Sequence, residues 1–196
     1  MLYFENKYKD TYTNICGVDE AGAGPLAGPV VAAAVVMPIG FVIQGVTDSK
    51  KLSEKKRVLF YDEIIKNALC HNIVFVENSE IDEINILQAR LKAMRLAVEG
   101  LSSPAANFAL VDGNYGLQMD IPNVAIEKGD AVSHSIACAS ILAKVTRDAA
   151  MVEYSKIYPN YGFEKHKGYG TKAHKEALAA HGLCPIHRRS FIKGVQ

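Results

Sequence analysis

Residues 30–36 form an uninterrupted apolar segment, VVAAAVV. Even with Met37 added, the segment is far too short for a membrane-spanning helix, which needs about 20 residues. A strand with one face in solvent would alternate apolar and polar residues, and this segment does not. It therefore predicts a β-strand that is covered by protein on both faces. Such a strand is typical of a sheet with helices packed on both sides.

Further strands and helices are predicted on both sides of this segment. The other predicted strands are Ile15–Asp19, Ile73–Val76, Phe108–Asp112 and Val124–Glu127, and the predicted helices are Ser53–Leu69, Glu80–Glu99, Asp130–Tyr154 and Lys172–His181. Strands come first in a consecutive run and later alternate with helices, which predicts an α/β protein with a central mixed sheet. No internal repeat or Pro/Ser-rich linker interrupts the chain, so residues 1–196 are expected to form a single domain.

Composition excludes several classes of protein. With 49% hydrophobic and 22% charged residues, the chain of 196 residues is neither a disordered polyelectrolyte nor a membrane protein. Met1–Asp10 is polar and charged where a signal peptide would need an apolar stretch. The four cysteines are scattered and show no C-x-x-C spacing, which favours buried, reduced thiols. These features predict a cytoplasmic protein without a membrane partner.

The net charge of +1 conceals a strong asymmetry. Residues 144–196 contain ten Lys and Arg and four Asp and Glu, whereas residues 1–143 contain twelve basic and seventeen acidic residues. The basic segment is also rich in Tyr and Phe. Lys and Arg contact phosphates and aromatic rings stack on sugars and bases, so this segment is suited to nucleic acid despite the neutral total.

Four carboxylates stand at the ends of predicted elements: Asp19 and Glu20 after the first strand, Asp112 after a later strand, and Asp130 before the long helix. Because strand ends meet at one edge of such a sheet, these side chains are expected to converge. Clustered carboxylates bind Mg²⁺ or Mn²⁺, and two such ions can promote phosphodiester hydrolysis. Taken singly, Asp130 is better explained as a helix N-cap and Asp112 as a turn residue. Their combination favours the metal site.

Longer motifs carry a resemblance to a known family. The segment GVDEAGAGPLAGPVVAAAV, residues 17–35, closely resembles bacterial ribonuclease HII, the type 2 ribonuclease H family. Further matching segments are DSKKLS (48–53), VDG (111–113), KGD (128–130), ASILAKVTRD (139–148), HKGYGT (166–171) and PIHRRSF (185–191). The matches extend from about Ile15 to Phe191, so the resemblance covers nearly the whole chain.

The resemblance implies a ribonuclease H-like fold with a C-terminal helical and irregular segment. It also implies that Asp19, Glu20, Asp112 and Asp130 are catalytic and hold two Mg²⁺ or Mn²⁺ ions. The implied activity is endonucleolytic cleavage of RNA in RNA/DNA hybrids, and of duplex DNA on the 5′ side of an embedded ribonucleotide, leaving 5′-phosphates. A monomer is expected, and any protein partner is left open.

Residues expected to contact nucleic acid also follow from the resemblance. In the family, a Gly-Arg-Gly turn offers backbone groups to the 2′-hydroxyl and a tyrosine stacks on the next sugar, which corresponds to Gly22, Gly24 and Tyr169 here. This chain has Ala23 where the family has arginine, so a cationic side chain is lost while the turn itself is kept.

Phosphate contacts are expected from Lys50, Lys144, Arg188 and Ser190. An alternative for Lys144 is an ion pair with Asp148, one helical turn away. Arg147 is expected to be structural.

Three alternatives remain at this stage. The chain could be a non-catalytic hybrid-binding module, although the presence of all four acids argues against it. It could be a phosphotransferase using the glycine-rich turn as a phosphate cradle, although the turn lacks the G-x-x-x-x-G-K-[ST] pattern. Ribonuclease HIII is a third possibility, but it has an additional N-terminal domain, and only about 14 residues precede the first predicted strand.

Overall fold

A computed structural model describes residues 1–192 and shows a five-stranded mixed sheet. The strands are β1 (Ile15–Ala21), β2 (Val30–Val36), β3 (Cys70–Val76), β4 (Phe108–Asp112) and β5 (Asn123–Ile126). Their order across the sheet is β3-β2-β1-β4-β5. β1, β2 and β3 pair antiparallel, whereas β4 lies parallel to both β1 and β5. The predicted mixed α/β sheet is confirmed.

Seven α-helices surround the sheet in the described part of the chain. They are α1 (Tyr3–Tyr8), α2 (Glu54–Asn67), α3 (Asn78–Ile84), α4 (Ile86–Glu99), α5 (His134–Ile157), α6 (Phe163–His166) and α7 (Lys172–His181). Short 3-10 turns occupy Ser49–Lys51, Gly129–Ala131, Pro159–Tyr161 and Arg189–Phe191. No helix within residues 1–192 is long and apolar enough to cross a bilayer.

The two faces of β2 explain its uninterrupted apolar sequence. Ala32 and Ala34 pack with α4 on one side of the sheet, whereas Ala33 and Val35 pack with α5 and α2 on the other. Every residue of β2 is buried. The strand is therefore covered on both faces, as its sequence predicts.

The close packing of α5 on β1 depends on a glycine. A Cβ atom added at Gly17 would lie 2.1 Å from the backbone carbon of Ser135 and 2.3 Å from the backbone nitrogen of Ile136. Any side chain at this position would push α5 away from the sheet. The first turn of α5 is thereby held directly against β1, which ends in Asp19 and Glu20.

The structure corrects two predicted helices. The predicted helix Glu80–Glu99 is two helices, because Asn85 has a φ of 66° and its side chain caps α4 by accepting from the N–H of Gln88. The long helix begins at His134 rather than Asp130, and Ser133 is its N-cap. Asp130 lies in a preceding 3-10 turn. Explaining Asp130 as the helix cap is therefore wrong.

Candidate active site

The parallel pairing of β1 and β4 brings three of the four acids to one edge of the sheet. Val18 is the register partner of Val111 in these parallel strands. The next residue of each strand is an acid, so Asp19 and Asp112 lie side by side. Glu20 is one residue further along β1. The side chain of Asp19 is buried, with the residue only 5% exposed. The predicted convergence at the strand ends is thus built from adjacent strands.

Asp112 in turn holds the fourth acid in place. Its Oδ1 atom accepts hydrogen bonds from the backbone N–H of Gly129 at 2.7 Å and of Asp130 at 3.4 Å. These bonds fix the 3-10 turn that carries Asp130 beside the end of β4. The turn begins after Lys128, which adopts a left-handed conformation with a φ of 54°. Asp130 therefore reaches the site through a backbone turn and not through the helix that follows it.

Burial and mutual repulsion raise the pKa values of these acids. The pKa of Asp19 lies well above its ordinary value because the side chain is buried, and because Glu20 and Asp112 are close. Burial also raises the pKa of Glu20, although Arg90 opposes the shift. The pKa of Asp130 is raised by burial and by Asp112. Gathered carboxylates of this kind are stabilised by bound cations.

Two basic side chains lie against the acids. Arg90, on α4, places Nη2 2.6 Å from Oε1 of Glu20, and Lys50 places Nζ 4.0 Å from Oδ2 of Asp130. Within residues 1–192, no three His, Cys, Asp or Glu side chains already surround a common metal position. The acids instead face separate partners: Arg90, Lys50 and the N–H of Gly129.

The donor set nevertheless fits a hard divalent cation. All four groups supply carboxylate oxygens, which suit Mg²⁺ and Mn²⁺. The Oε2 atom of Glu20 is buried without a hydrogen-bond partner among the described residues. A buried carboxylate oxygen without a partner is costly, and a cation beside Asp19 and Glu20 would satisfy it.

A cavity of about 270 Å³ opens beside these acids. It is lined by Asp19, Glu20, Ala21, Gly22, Ala23, Gly24, Ser49, Lys50, Ser140, Lys144 and Tyr169. The glycine-rich loop and Tyr169 are in contact range, since a Cβ atom at Gly24 would lie 3.8 Å from Cε1 of the tyrosine ring. Six of the residues predicted to bind nucleic acid thus share one cavity with two of the acids. A larger open groove, of about 870 Å³, lies between α4 and residues 114–118 and contains none of them.

Known protein sequences similar to this chain share one description. The sequence profile described as Ribonuclease HII matches residues 16–194. The chain belongs to the ribonuclease HII family. A ribonuclease HII from Caldicellulosiruptor saccharolyticus is 51% identical over 97% of this chain and 93% of its own length, and one from Caldicellulosiruptor bescii is 53% identical over 98% and 95%. The expected family resemblance is confirmed, and the chain is a ribonuclease H enzyme.

Solved structures confirm the ribonuclease H-like fold of this chain. The ribonuclease H2 from Pyrococcus horikoshii superposes with a TM-score of 0.76 at 27% identity, covering 91% of this chain and 93% of the other. A ribonuclease HIII described as Bst-RNase HIII in complex with Mn²⁺ superposes with a TM-score of 0.69 at 18% identity, covering 86% of this chain and 63% of the other. Its likeness concerns the fold alone.

Two residues that were expected to contact phosphate have other partners within the protein. Arg188 is 0% exposed, and its guanidinium donates to backbone carbonyls inside the protein, so it is not available to phosphate. Ser190 is exposed, but its hydroxyl donates to Asp82 on α3. The expectation of direct phosphate contact by Arg188 is therefore wrong, and the Ser190 hydroxyl already has a partner.

The remaining basic residues near the site differ in how exposed they are and in which partners they have. Lys50 is open to solvent, with its side chain 84% exposed at the edge of the acid cluster. Lys144 lines the cavity and also pairs with Asp148, with Nζ 2.7 Å from Oδ1. Arg147 is buried, in line with a structural role. Lys144 therefore forms the ion pair with Asp148 and lies at the cavity, while its contact with phosphate stays a prediction.

The sequence does not reveal two participants in the site. Arg90 is one of three basic residues on α4, and nothing in its spacing marks it as the partner of Glu20. Ser140, on α5, hydrogen-bonds Ser49 with 2.8 Å between the two hydroxyl oxygens and lowers the pKa of Asp19 in opposition to burial. A serine within an apolar helix is a weak signal, because it can also bond to its own helix.

Proposed function

We propose that this ribonuclease H is a metal-dependent endonuclease that cleaves the RNA strand of RNA/DNA hybrids and duplex DNA on the 5′ side of an embedded ribonucleotide. The observation that carries the proposal is the grouping of Asp19, Glu20, Asp112 and Asp130 at one edge of the sheet, beside a cavity. The buried oxygen of Glu20 without a partner supports a cation at this place. We propose that residues 1–196 act as a single catalytic domain.

The four carboxylates would hold two Mg²⁺ or Mn²⁺ ions. Bound there, the ions supply activation of the attacking water and stabilisation of the leaving oxygen. Asp19 is the most buried acid of the cluster, so a cation beside it would replace the hydration that its carboxylate lacks. Asp112 keeps Asp130 in position through the N–H of Gly129. Arg90 restrains Glu20, and Lys50 stands where a phosphate can approach the acids.

The cavity supports the choice of substrate. A protein distinguishes RNA from DNA through hydrogen bonds to the 2′-hydroxyl. The loop Gly22–Gly24 contributes backbone groups to the cavity, and Tyr169 contributes an aromatic ring that is 45% exposed. A ring against the sugar that follows the ribonucleotide would disfavour a second 2′-hydroxyl there. Lys50 and Lys144 would neutralise phosphates of the same backbone.

Cleavage of defined duplexes tests the proposal. The protein is incubated with Mg²⁺ and two labelled substrates, an RNA/DNA hybrid and a DNA duplex that contains one ribonucleotide. We expect cleavage of both, a break on the 5′ side of the single ribonucleotide, and complete loss of cleavage when the metal is chelated. No cleavage of either duplex would contradict the proposed function.

Asn variants of two acids test the site. Asp112→Asn and Asp130→Asn remove a ligand charge and are expected to lower kcat at least a hundredfold while duplex binding, measured in Ca²⁺, stays within threefold. Asp120→Asn is the matched control, because Asp120 is an exposed acid that lies between Asp112 and Asp130 in the chain, on the β4–β5 connection. Full turnover in both active-site variants would contradict the assignment of these acids.

A further inference from the structure

Two arginines are completely buried beneath the glycine-rich loop. Arg188 is 0% exposed and Arg147 is 1% exposed. No carboxylate of residues 1–192 lies within 4.0 Å of either guanidinium as an ion-pair partner. Burial lowers the pKa of Arg188 to about 9 and that of Arg147 to about 10, so both are charged at neutral pH. A buried charge without a counter-ion is costly unless its donors are satisfied in another way.

Backbone carbonyls of the β1–β2 connection, residues 22–29, accept the hydrogen bonds of the Arg188 guanidinium. Its Nη2 donates to the carbonyl of Gly22 at 2.6 Å, its Nη1 to that of Ala23 at 3.0 Å and its Nε to that of Gly28 at 2.9 Å. The planar fork of a guanidinium can address several acceptors at once, which a lysine cannot do. Arg188 therefore holds the β1–β2 connection near both of its ends, at Gly22 and at Gly28.

Arg147 contacts the later part of the β1–β2 connection and joins it to the segment that carries Tyr169. It donates to the carbonyl of Pro29 at 2.9 Å and to that of Ala27 at 3.1 Å. Its Nη1 donates to the carbonyl of Lys167 at 3.0 Å, two residues before Tyr169. The loop and the tyrosine segment are thus attached to the same buried side chain.

The carbonyl contacts determine where the amides of the loop point. In a trans peptide the C=O and the N–H point in opposite directions. Because the carbonyls of Gly22 and Ala23 face Arg188, the N–H groups of Ala23 and Gly24 face away from it, and both residues line the cavity. No acceptor within residues 1–192 bonds either N–H. The loop therefore presents two adjacent free donors beside Tyr169.

We infer that Arg188 is a positioning residue for substrate recognition, which aims the N–H groups of Ala23 and Gly24 at an oxygen of the ribonucleotide. This inference rests on the proposed function, because it deepens the account of how a ribonucleotide is distinguished from a deoxyribonucleotide. Arg188 acts through the loop backbone and does not touch the substrate.

Two variants of Arg188 test the inference. Arg188→Lys keeps the charge but not the fork, and Arg188→Gln keeps hydrogen-bonding groups without a buried charge. Both are expected to raise KM for the single-ribonucleotide duplex about tenfold with kcat within twofold, because the lost contact binds substrate and transition state alike. In Ca²⁺, the preference for binding this duplex over an all-DNA duplex is expected to fall about tenfold. Calorimetric Mn²⁺ affinity is expected to be unchanged.

Two controls separate positioning from general destabilisation. Arg189→Gln removes the neighbouring, exposed arginine and is expected to weaken both duplexes equally. Ile64→Ala opens a cavity in the core between α2 and the sheet, and is expected to lower the unfolding temperature without changing the preference. An unchanged preference in folded Arg188 variants contradicts the inference.

A measurement on the wild-type protein decides the matter if neither Arg188 variant folds. Amide hydrogen exchange, followed by NMR, is expected to show protection of Ala23 and Gly24 by the single-ribonucleotide duplex in Ca²⁺ and no protection by the all-DNA duplex. Equal protection by both duplexes, or none, overturns the inference. A wild-type enzyme that cleaves neither ribonucleotide substrate contradicts the proposed function instead.

Discussion

The Nε2 atoms of His174 and His187 lie 3.0 Å apart in the buried C-terminal region. The Nδ1 atom of His174 lies 2.9 Å from the carbonyl of Tyr169 and therefore carries a hydrogen, and the Nδ1 of His187 accepts from the N–H of Cys184 at 2.9 Å. His187 must then donate through Nε2 to the unprotonated Nε2 of His174. Both rings are neutral in this arrangement, and a further proton on either one would set two donors against each other.

This pair predicts a loss of stability in mild acid. Burial lowers the pKa of His187 to about 4 and also lowers that of His174, whereas both rings titrate near 6.5 in an unfolded chain. The unfolded state therefore binds protons first, and the free energy of unfolding is expected to fall as the pH drops from about 6.5 towards 4, by on the order of 2–3 kcal/mol. Urea unfolding at a series of pH values measures this effect.

A pair of glutamine variants isolates the contribution of the histidines. His187→Gln is expected to unfold at lower urea concentration at pH 7.5 and to lose less stability on acidification than the wild type. His71→Gln, at an exposed position on β3, is expected to keep the wild-type pH dependence. The same pH dependence in all three proteins would show that the buried pair does not control acid stability.

The ion pair between Arg90 and Glu20 predicts opposite effects on metal binding and turnover. Arg90→Gln removes a cation that stands 2.6 Å from a proposed metal ligand, so calorimetric Mn²⁺ affinity is expected to rise about threefold to tenfold. Glu20 also loses its restraint, so kcat in saturating Mg²⁺ is expected to fall about tenfold. Arg95→Gln, on the same helix, is expected to change neither. Weaker Mn²⁺ binding by Arg90→Gln would instead mean that Arg90 prepares Glu20 for the metal.

The contact between Gly17 and α5 predicts a strict limit on side-chain size. Gly17→Ala places a Cβ atom 2.1 Å from the backbone of Ser135, and is expected to lower the free energy of unfolding by about 3 kcal/mol. Gly24→Ala is the control, because its Cβ atom would have no neighbour closer than 3.8 Å, and a change below about 1 kcal/mol is expected. Chemical denaturation compares the two variants, and equal losses would contradict the packing argument.

Ala23, in the glycine-rich loop, predicts a gain of function. Ala23 is half-buried at the cavity, and its carbonyl is held by Arg188, so Ala23→Arg leaves the backbone in place and adds a cation near the expected phosphates. We expect affinity for the single-ribonucleotide duplex to rise about threefold to tenfold at low salt. Ala105→Arg adds the same charge in the loop before β4, at the opposite end of that strand from Asp112, and is expected to have little effect. Unchanged kinetics in Ala23→Arg would show that the loop works through its backbone alone.

Sequence and structure agree where burial dictates residue type. Strand β2 is predicted to the residue because both of its faces are covered, and Ser53 is recognisable as the cap of α2. The break at Asn85 is not predicted, because apolar residues keep a helical spacing across it and only the backbone conformation reveals it. The proximity of Asp19, Glu20 and Asp112 follows from their places at strand ends. Asp130 joins them only because Asp112 accepts hydrogen bonds from the turn that carries it, which the sequence does not reveal.

The sign of a charge does not tell where the side chain lies. Arg188 and Arg189 are adjacent and chemically identical, yet one is fully buried and the other exposed. Only the three-dimensional arrangement shows that the carbonyls of a distant loop surround the first of them. The count of basic residues in a segment therefore overstates the number of side chains that are free to contact phosphate.

The parallel pairing of β1 and β4 also determines when the four acids can come together during synthesis of the chain. The β1–β2 hairpin carries Asp19 and Glu20 and can form early, but its partner Val111 on β4 is 93 residues beyond Val18. Contacts of such long range are slow to form, because the entropy of closing the intervening chain must be lost first. A chain still emerging from the ribosome therefore holds two acids without their counterparts until the turn with Asp130 has been synthesised. With the metal held by all four acids, as proposed, divalent-metal affinity would report completed folding.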